Sequence, residues 1–77
     1  PDPGLFKHVA NTLGYPPEKC IVVDDSNVGI EAALAAKMKA VQFRPNNDSP
    51  YHTGAMSIID MMELPDLVNK IEYSDQQ

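Results

Sequence analysis

The chain has 77 residues, which suffice for at most one small domain that buries about 60% of its unfolded surface. Its formal net charge of −5 and its dispersed basic residues argue against a nucleic-acid partner, because duplex binding requires a basic face. Cys20 is the single cysteine, so no internal disulfide can form and a reducing compartment is compatible. No apolar run approaches the roughly 20 residues that cross a bilayer, and no secretory leader is recognised. We therefore expect a soluble, cytoplasmic protein with no membrane partner.

The first predicted helix has a signal at each end. Asp2 is a good N-cap residue, and Pro3 suits the first helical position because its missing N–H would be unpaired there. Gly14 is placed to end the helix in the left-handed conformation, and the prolines after it prevent continuation. Between these signals lies a predicted apolar stripe, formed by Leu5, Val9 and Leu13 and widened by Phe6 and Ala10.

Strands and helices then alternate along the chain. Short apolar runs predict strands over residues 20–23, 40–43 and 56–59. Helical spacing of apolar residues predicts helices over 27–36 and 64–71. The polar, proline-containing segment between the second and third strands is typical of a long surface loop, and the last five residues are expected to be frayed.

This alternation predicts an α/β fold in which about three parallel strands are flanked by helices. The run Ile21-Val22-Val23 shows no polar alternation, so it is expected to have strand neighbours on both edges and helices on both faces. Three strands cannot supply all of these neighbours. We therefore expect one apolar edge to lack its partner, and we predict that the chain is part of a longer protein.

Two adjacent carboxylates follow the first strand directly. Asp24 and Asp25 fall at the carboxyl end of the strand, which is where ligands bind in open α/β folds, and an alanine-rich helix begins after them. Such a pair suits a site for a hard cation. The alternative is that Asp25 or Ser26 simply caps the following helix.

These residues resemble the carboxyl-terminal part of the haloacid dehalogenase-like hydrolases, and most of all the phosphoglucomutase-like phosphatases and mutases. The resemblance is carried by Pro1-Asp2-Pro3 before a helix and by the strand–Asp-Asp-Ser–helix segment over residues 22–33. A weaker similarity covers residues 59–65. The resemblance implies that residues 1–77 are the carboxyl-terminal portion of a Rossmann-like core, without the nucleophile half and without the cap domain.

In that family, an aspartate of an Asp-x-Asp motif attacks a substrate phosphoryl group, and a lysine before Pro-Asp-Pro helps to hold the phosphate. The resemblance therefore implies a Mg²⁺-dependent phosphatase that acts on a small phosphorylated metabolite through an aspartyl-phosphate. It implies that Asp25 is a direct or water-mediated Mg²⁺ ligand and that Asp24 is the neighbouring acid of the metal site. Ser26 and Asn27 are implied as supporting residues, with Ser26 capping the helix.

The sequence also departs from the family pattern. It contains no Asp-x-Asp motif, and the expected lysine would precede Pro1, so no catalytic residue of the family is present. We therefore expect the isolated chain to be inactive and to need the amino-terminal half of the same protein as its partner. Lys37 stands where the family usually has glycine, and a positive φ there would strain a lysine.

Three alternatives stay open. A phosphomutase of the same superfamily would use the same residues. A receiver-like signalling module also places an acidic pair after an apolar strand, but it would need a further strand-end aspartate, for which Asp60 is the candidate, and a strand-end lysine that the sequence does not supply. A non-catalytic interaction module would keep the fold without metal affinity.

Overall fold

Helices and strands alternate along the chain in the predicted order. The computed structural model describes residues 1–46 and 52–75. The elements are α1 (Gly4–Leu13), β1 (Ile21–Asp24), α2 (Asn27–Ala35), β2 (Lys39–Phe43), β3 (Met56–Ile58) and α3 (Leu64–Asp75), with short 3₁₀ turns at Pro17–Lys19 and Met61–Glu63. The part of the predicted loop over 47–51 lies outside the described residues. The predicted fraying from residue 73 is wrong as far as Asp75, because α3 continues to that residue.

The three strands form one parallel sheet in the order β1-β2-β3. The register pairs Asp24 with Gln42 and Phe43 with Ile58, so the carboxyl ends of the strands lie at one edge of the sheet. Among the described residues β1 has a strand neighbour on one side only, and all four of its residues are half-buried. The expectation that one apolar edge lacks its partner is confirmed for the described part of the chain.

Helices cover both faces of the sheet. On one face Phe6 and Ala10 of α1 and Ile30 and Ala33 of α2 pack against Val22 and Ala40. On the other face α3 contributes Leu64, Leu67 and Ile71, which pack against Val41 and Ile58. This arrangement confirms the predicted α/β class. None of the helices in the described ranges is long and apolar enough to span a membrane.

The apolar stripe predicted for α1 is only partly correct. Ala10 is buried and Phe6 packs against the core, but Leu5 and Leu13 are 71% and 65% exposed and Val9 is also exposed. The helix therefore turns the flank of the stripe, and not its centre, toward the sheet. The physical reason is that the buried partners available to α1 are Ala36, which caps the end of α2, and Met38, and these pack with Ala10 and Phe6.

Helices α1 and α2 end in the same way. Gly14 and Lys37 both have positive φ, at 81° and 65°. In each case the next residue donates its N–H to a carbonyl five positions earlier, from Tyr15 to Ala10 and from Met38 to Ala33. These bonds define Schellman motifs, which require a left-handed residue. Lys37 therefore has the positive φ that strains a lysine.

Candidate functional site

The turn between β1 and α2 is held by the side chains of Asp24 and Ser26. Asp24 Oδ1 accepts hydrogen bonds from the Ser26 backbone N–H at 2.8 Å and from the Ser26 hydroxyl at 3.0 Å. The Ser26 Oγ in turn accepts the Gly29 N–H at 3.0 Å and so caps α2. The capping role predicted for Ser26 is confirmed. Asp24, two residues before Ser26, supports this cap through its two hydrogen bonds to that residue.

The same contacts set the charge of Asp24. The hydrogen bond from the Ser26 backbone N–H lowers the pKa of Asp24 below its ordinary value. Partial burial opposes this change, while the Ser26 hydroxyl and the neighbouring Asp25 lower the pKa further. Asp24 is therefore ionised at neutral pH, and its negative charge lies close to the amino terminus of α2, where the helix dipole favours an anion.

Asp25 occupies a different environment one residue later. Its side chain is exposed and lines an open pocket of about 300 Å³ at the carboxyl end of the sheet. Val23, Phe43 and Met61 line the same pocket, as does Asp24. The structure thus separates the two carboxylates by role. Asp24 organises the turn, and Asp25 faces an open space that can admit a ligand.

Asn27 is tied to the sheet by a residue that the sequence did not single out. Its Oδ1 accepts a hydrogen bond at 2.7 Å from Nε2 of Gln42, which lies in β2 and is 1% exposed. Gln42 lies within the predicted apolar strand over residues 40–43. The signal that could have identified it is the carboxamide itself, because a polar residue in a buried strand needs a hydrogen-bond partner.

His52 contacts the same region from the segment before β3. Its backbone N–H donates to Gln42 Oε1 at 2.8 Å, and its ring Nδ1 accepts the Gly54 N–H at 2.9 Å. The ring Nε2 lies 3.8 Å from Glu31 Oε1. His52 is therefore a fixed part of this edge of the molecule.

Asp60 does not stand free at the end of a strand. Its Oδ1 accepts the Met62 N–H at 2.9 Å, and Glu63 accepts the Asp60 N–H in return, which completes a capping box. The strand-end aspartate that a receiver-like module would phosphorylate is therefore engaged in helix capping.

The oxygen ligands at the end of β1 suit Mg²⁺ better than a metal that needs many protein ligands. The described residues contain no group of three or more His, Cys, Asp or Glu side chains that could hold a metal ion. Magnesium, however, is usually held by one or two carboxylates together with water and substrate phosphate. The exposed carboxylate of Asp25, with Asp24 beside it, matches the one or two carboxylates that a protein usually contributes to a magnesium site.

Comparison with known proteins supports the same family. No family model matches the chain. The chain is 38% identical to the chloroplastic 5-amino-6-(5-phospho-D-ribitylamino)uracil phosphatase of Arabidopsis thaliana, over 86% of this chain and 20% of that protein. It is 33% identical to the 6-phosphogluconate phosphatase of Escherichia coli, over 87% of this chain and 31% of that protein. A crystal structure of a conserved haloacid dehalogenase-like protein of unknown function from Agrobacterium tumefaciens superposes with a TM-score of 0.84 and 32% identity, over 94% of this chain and 36% of that one.

The chain belongs to the haloacid dehalogenase-like superfamily, and the two curated relatives described above are named as phosphatases. It has the α/β fold of part of the superfamily's core. The chain spans between a fifth and about a third of the length of the curated relatives that it matches over most of its own length.

Proposed function

We propose that this chain supplies the carboxyl-terminal part of the magnesium site of a phosphatase that acts on a small phosphorylated metabolite through an aspartyl-phosphate. The observation that carries the proposal is the position of Asp25, whose exposed carboxylate faces an open pocket at the carboxyl end of β1. Both curated relatives described above are phosphatases by name, which supports phosphate chemistry at this edge.

In this proposal each residue of the turn has its own task. Asp25 would hold Mg²⁺, with Asp24 beside it adding negative charge to the site. Ser26 and the backbone of the turn keep Asp24 ionised and oriented through the bonds at 2.8 and 3.0 Å. When bound, the metal would offset the negative charge that develops on a transferring phosphoryl group.

The proposal includes the remainder of the same protein as a partner. The nucleophilic aspartate and the phosphate-binding lysine of the family are absent from these residues. Two features of the described chain favour a covering segment: the apolar strand β1 has one unpaired edge, and α1 exposes Leu5 and Leu13. A segment that pairs with β1 would bring a nucleophile to the same edge of the sheet as Asp25, because strand ends meet there.

The decisive experiment compares two Asp→Asn variants of the intact protein. Asp25→Asn should abolish most of the Mg²⁺-dependent hydrolysis of an aryl phosphate while the protein remains folded, because the amide keeps the size of the side chain but loses its charge. Asp66→Asn makes the same chemical change at an exposed position of α3 outside the Asp25 pocket, and it should retain wild-type activity. A folded Asp25→Asn protein with wild-type activity would contradict the assignment.

A further inference from the structure

Gln42 is the buried polar residue of the core in the described part of the chain. It lies in the central strand β2, is 1% exposed, and is flanked there by apolar residues. Burying a carboxamide in such a place is unfavourable unless its donors and its acceptor find partners. The structure provides a hydrogen-bond partner for the amide nitrogen and another for the amide oxygen of this side chain.

The partners of Gln42 belong to two segments, the turn that carries Asp25 and the segment that precedes β3. Its Nε2 donates to Asn27 Oδ1 at 2.7 Å and, at a longer 3.4 Å, to the backbone carbonyl of Asp25. Its Oε1 accepts the His52 N–H at 2.8 Å. One buried side chain therefore connects the turn that carries Asp25 with the segment that precedes β3. The strand pairing places Gln42 opposite Asp24, which brings its amide within reach of that turn.

We propose that Gln42 is a positioning residue that fixes the backbone of the Asp25 turn and couples it to the segment at His52. The part of this inference that concerns Mg²⁺ rests on the proposed function above. The carboxylate of Asp25 is exposed, so its direction depends on how firmly its own backbone is held. Residues that orient a metal ligand without touching the metal commonly change its affinity when they are replaced.

The test is Gln42→Met in the intact protein, because methionine is similarly long and unbranched but offers neither the amide donor nor the amide acceptor. The dissociation constant for Mg²⁺, measured by calorimetry, should rise about tenfold or more. Hydrogen exchange at the His52 and Ser26 amides should become faster, since one loses its acceptor and the other lies in the turn that Gln42 holds. Asn27→Ala removes the acceptor of the Gln42 Nε2 hydrogen bond. This variant should also raise the Mg²⁺ dissociation constant and speed the exchange of the two amides.

Val41→Ala is the matched control. Val41 is fully buried in the same strand and packs on the opposite face with Ile58 and Ile71, so its truncation lowers stability without touching the Asp25 turn. It should leave the Mg²⁺ dissociation constant and the exchange of the two amides at wild-type values. If Gln42→Met behaved like Val41→Ala in both measurements, Gln42 would be a structural residue only and the inference would be overturned.

The two measurements also separate this inference from the proposed function. A wild-type protein that does not bind Mg²⁺ would overturn the proposed function and, with it, the metal part of the inference. Faster amide exchange in Gln42→Met than in Val41→Ala would still establish the coupling between the turn and His52. Equal exchange in the two variants would refute that coupling whatever the metal does.

Discussion

The carboxylate of Asp24 occupies the space in which a side chain at Gly29 would lie. A Cβ atom on Gly29 would overlap Asp24 Oδ2 and Cγ. The glycine in the first turns of α2 is therefore explained by the close approach of the carboxylate to the helix and not by its backbone conformation, since its φ is not in the left-handed region.

We predict that Gly29→Ala destabilises the protein by about 1–3 kcal/mol, because the carboxylate must move and the neighbouring backbone must adjust. The measurement is the free energy of unfolding in denaturant. In the Asp24→Ala background the overlap is removed, and the same Gly29→Ala change should instead stabilise α2 by up to about 1 kcal/mol through helix propensity. An equal loss in both backgrounds would show that the contact with Asp24 is not the cause.

Lys37 offers a stabilising change. We predict that Lys37→Gly raises the free energy of unfolding by about 1 kcal/mol, because a non-glycine residue in the left-handed region carries a penalty of that order. The control is Lys37→Ala, which removes the charge but keeps the Cβ atom and should give no comparable gain.

Gly14→Ala should lower the free energy of unfolding by a similar amount. Nothing lies within 4 Å of an added Cβ there, so the only cost is its φ of 81°.

The lowered pKa of Asp24 makes its contribution to stability dependent on pH. A carboxyl whose pKa is lower in the folded state stabilises that state above its unfolded pKa, and this contribution is lost as the pH falls through the folded pKa. Asp24→Asn keeps an acceptor oxygen for Ser26 and removes the charge. The difference in unfolding free energy between wild type and this variant should therefore be largest near about pH 7 and shrink below the ordinary value of 3.8. A difference that is constant across this range would show that the charge does not contribute.

The isolated 77-residue chain should show no turnover of an aryl phosphate and only weak Mg²⁺ binding. The physical reason is that Asp25 and Asp24 would supply only one or two of the ligands of Mg²⁺. The described residues contain no cluster of three or more metal-ligating side chains. The measurements are phosphate release and calorimetric titration with Mg²⁺ on the purified chain. Mg²⁺-dependent hydrolysis by the chain alone would refute this prediction and the need for the remainder of the protein.

The outline of the fold was predictable because its signals are local. The end of α1 follows from Gly14, which takes a positive φ without strain, and the three strands follow from short apolar runs. Strand boundaries shifted by about one residue, as in β1, which includes Asp24. The candidate site at the end of β1 can be located from the sequence, because two adjacent carboxylates beside an apolar run are visible there.

The apolar pattern of α1 predicts a helix but not which of its side chains are buried. Leu5, Val9 and Leu13 form a helical stripe, and helical periodicity is all that the sequence can express. Which flank of that stripe is buried depends on residues distant in sequence, because Ala10 packs with Ala36 and Met38. The structure selects Ala10 for the contact and leaves Leu5 and Leu13 exposed.

The sequence by itself determined the order of the elements, the α/β class and the pair of acids, because each depends on residues that are neighbours in the chain. Only the tertiary structure decided how the two acids divide their roles and that Gln42 connects Asn27 with His52. These three residues are separated by 10 and 15 positions in sequence, and hydrogen bonds over such distances depend on how strands and helices pack. Packing is a property of the assembled core, and no local pattern of residue types specifies it.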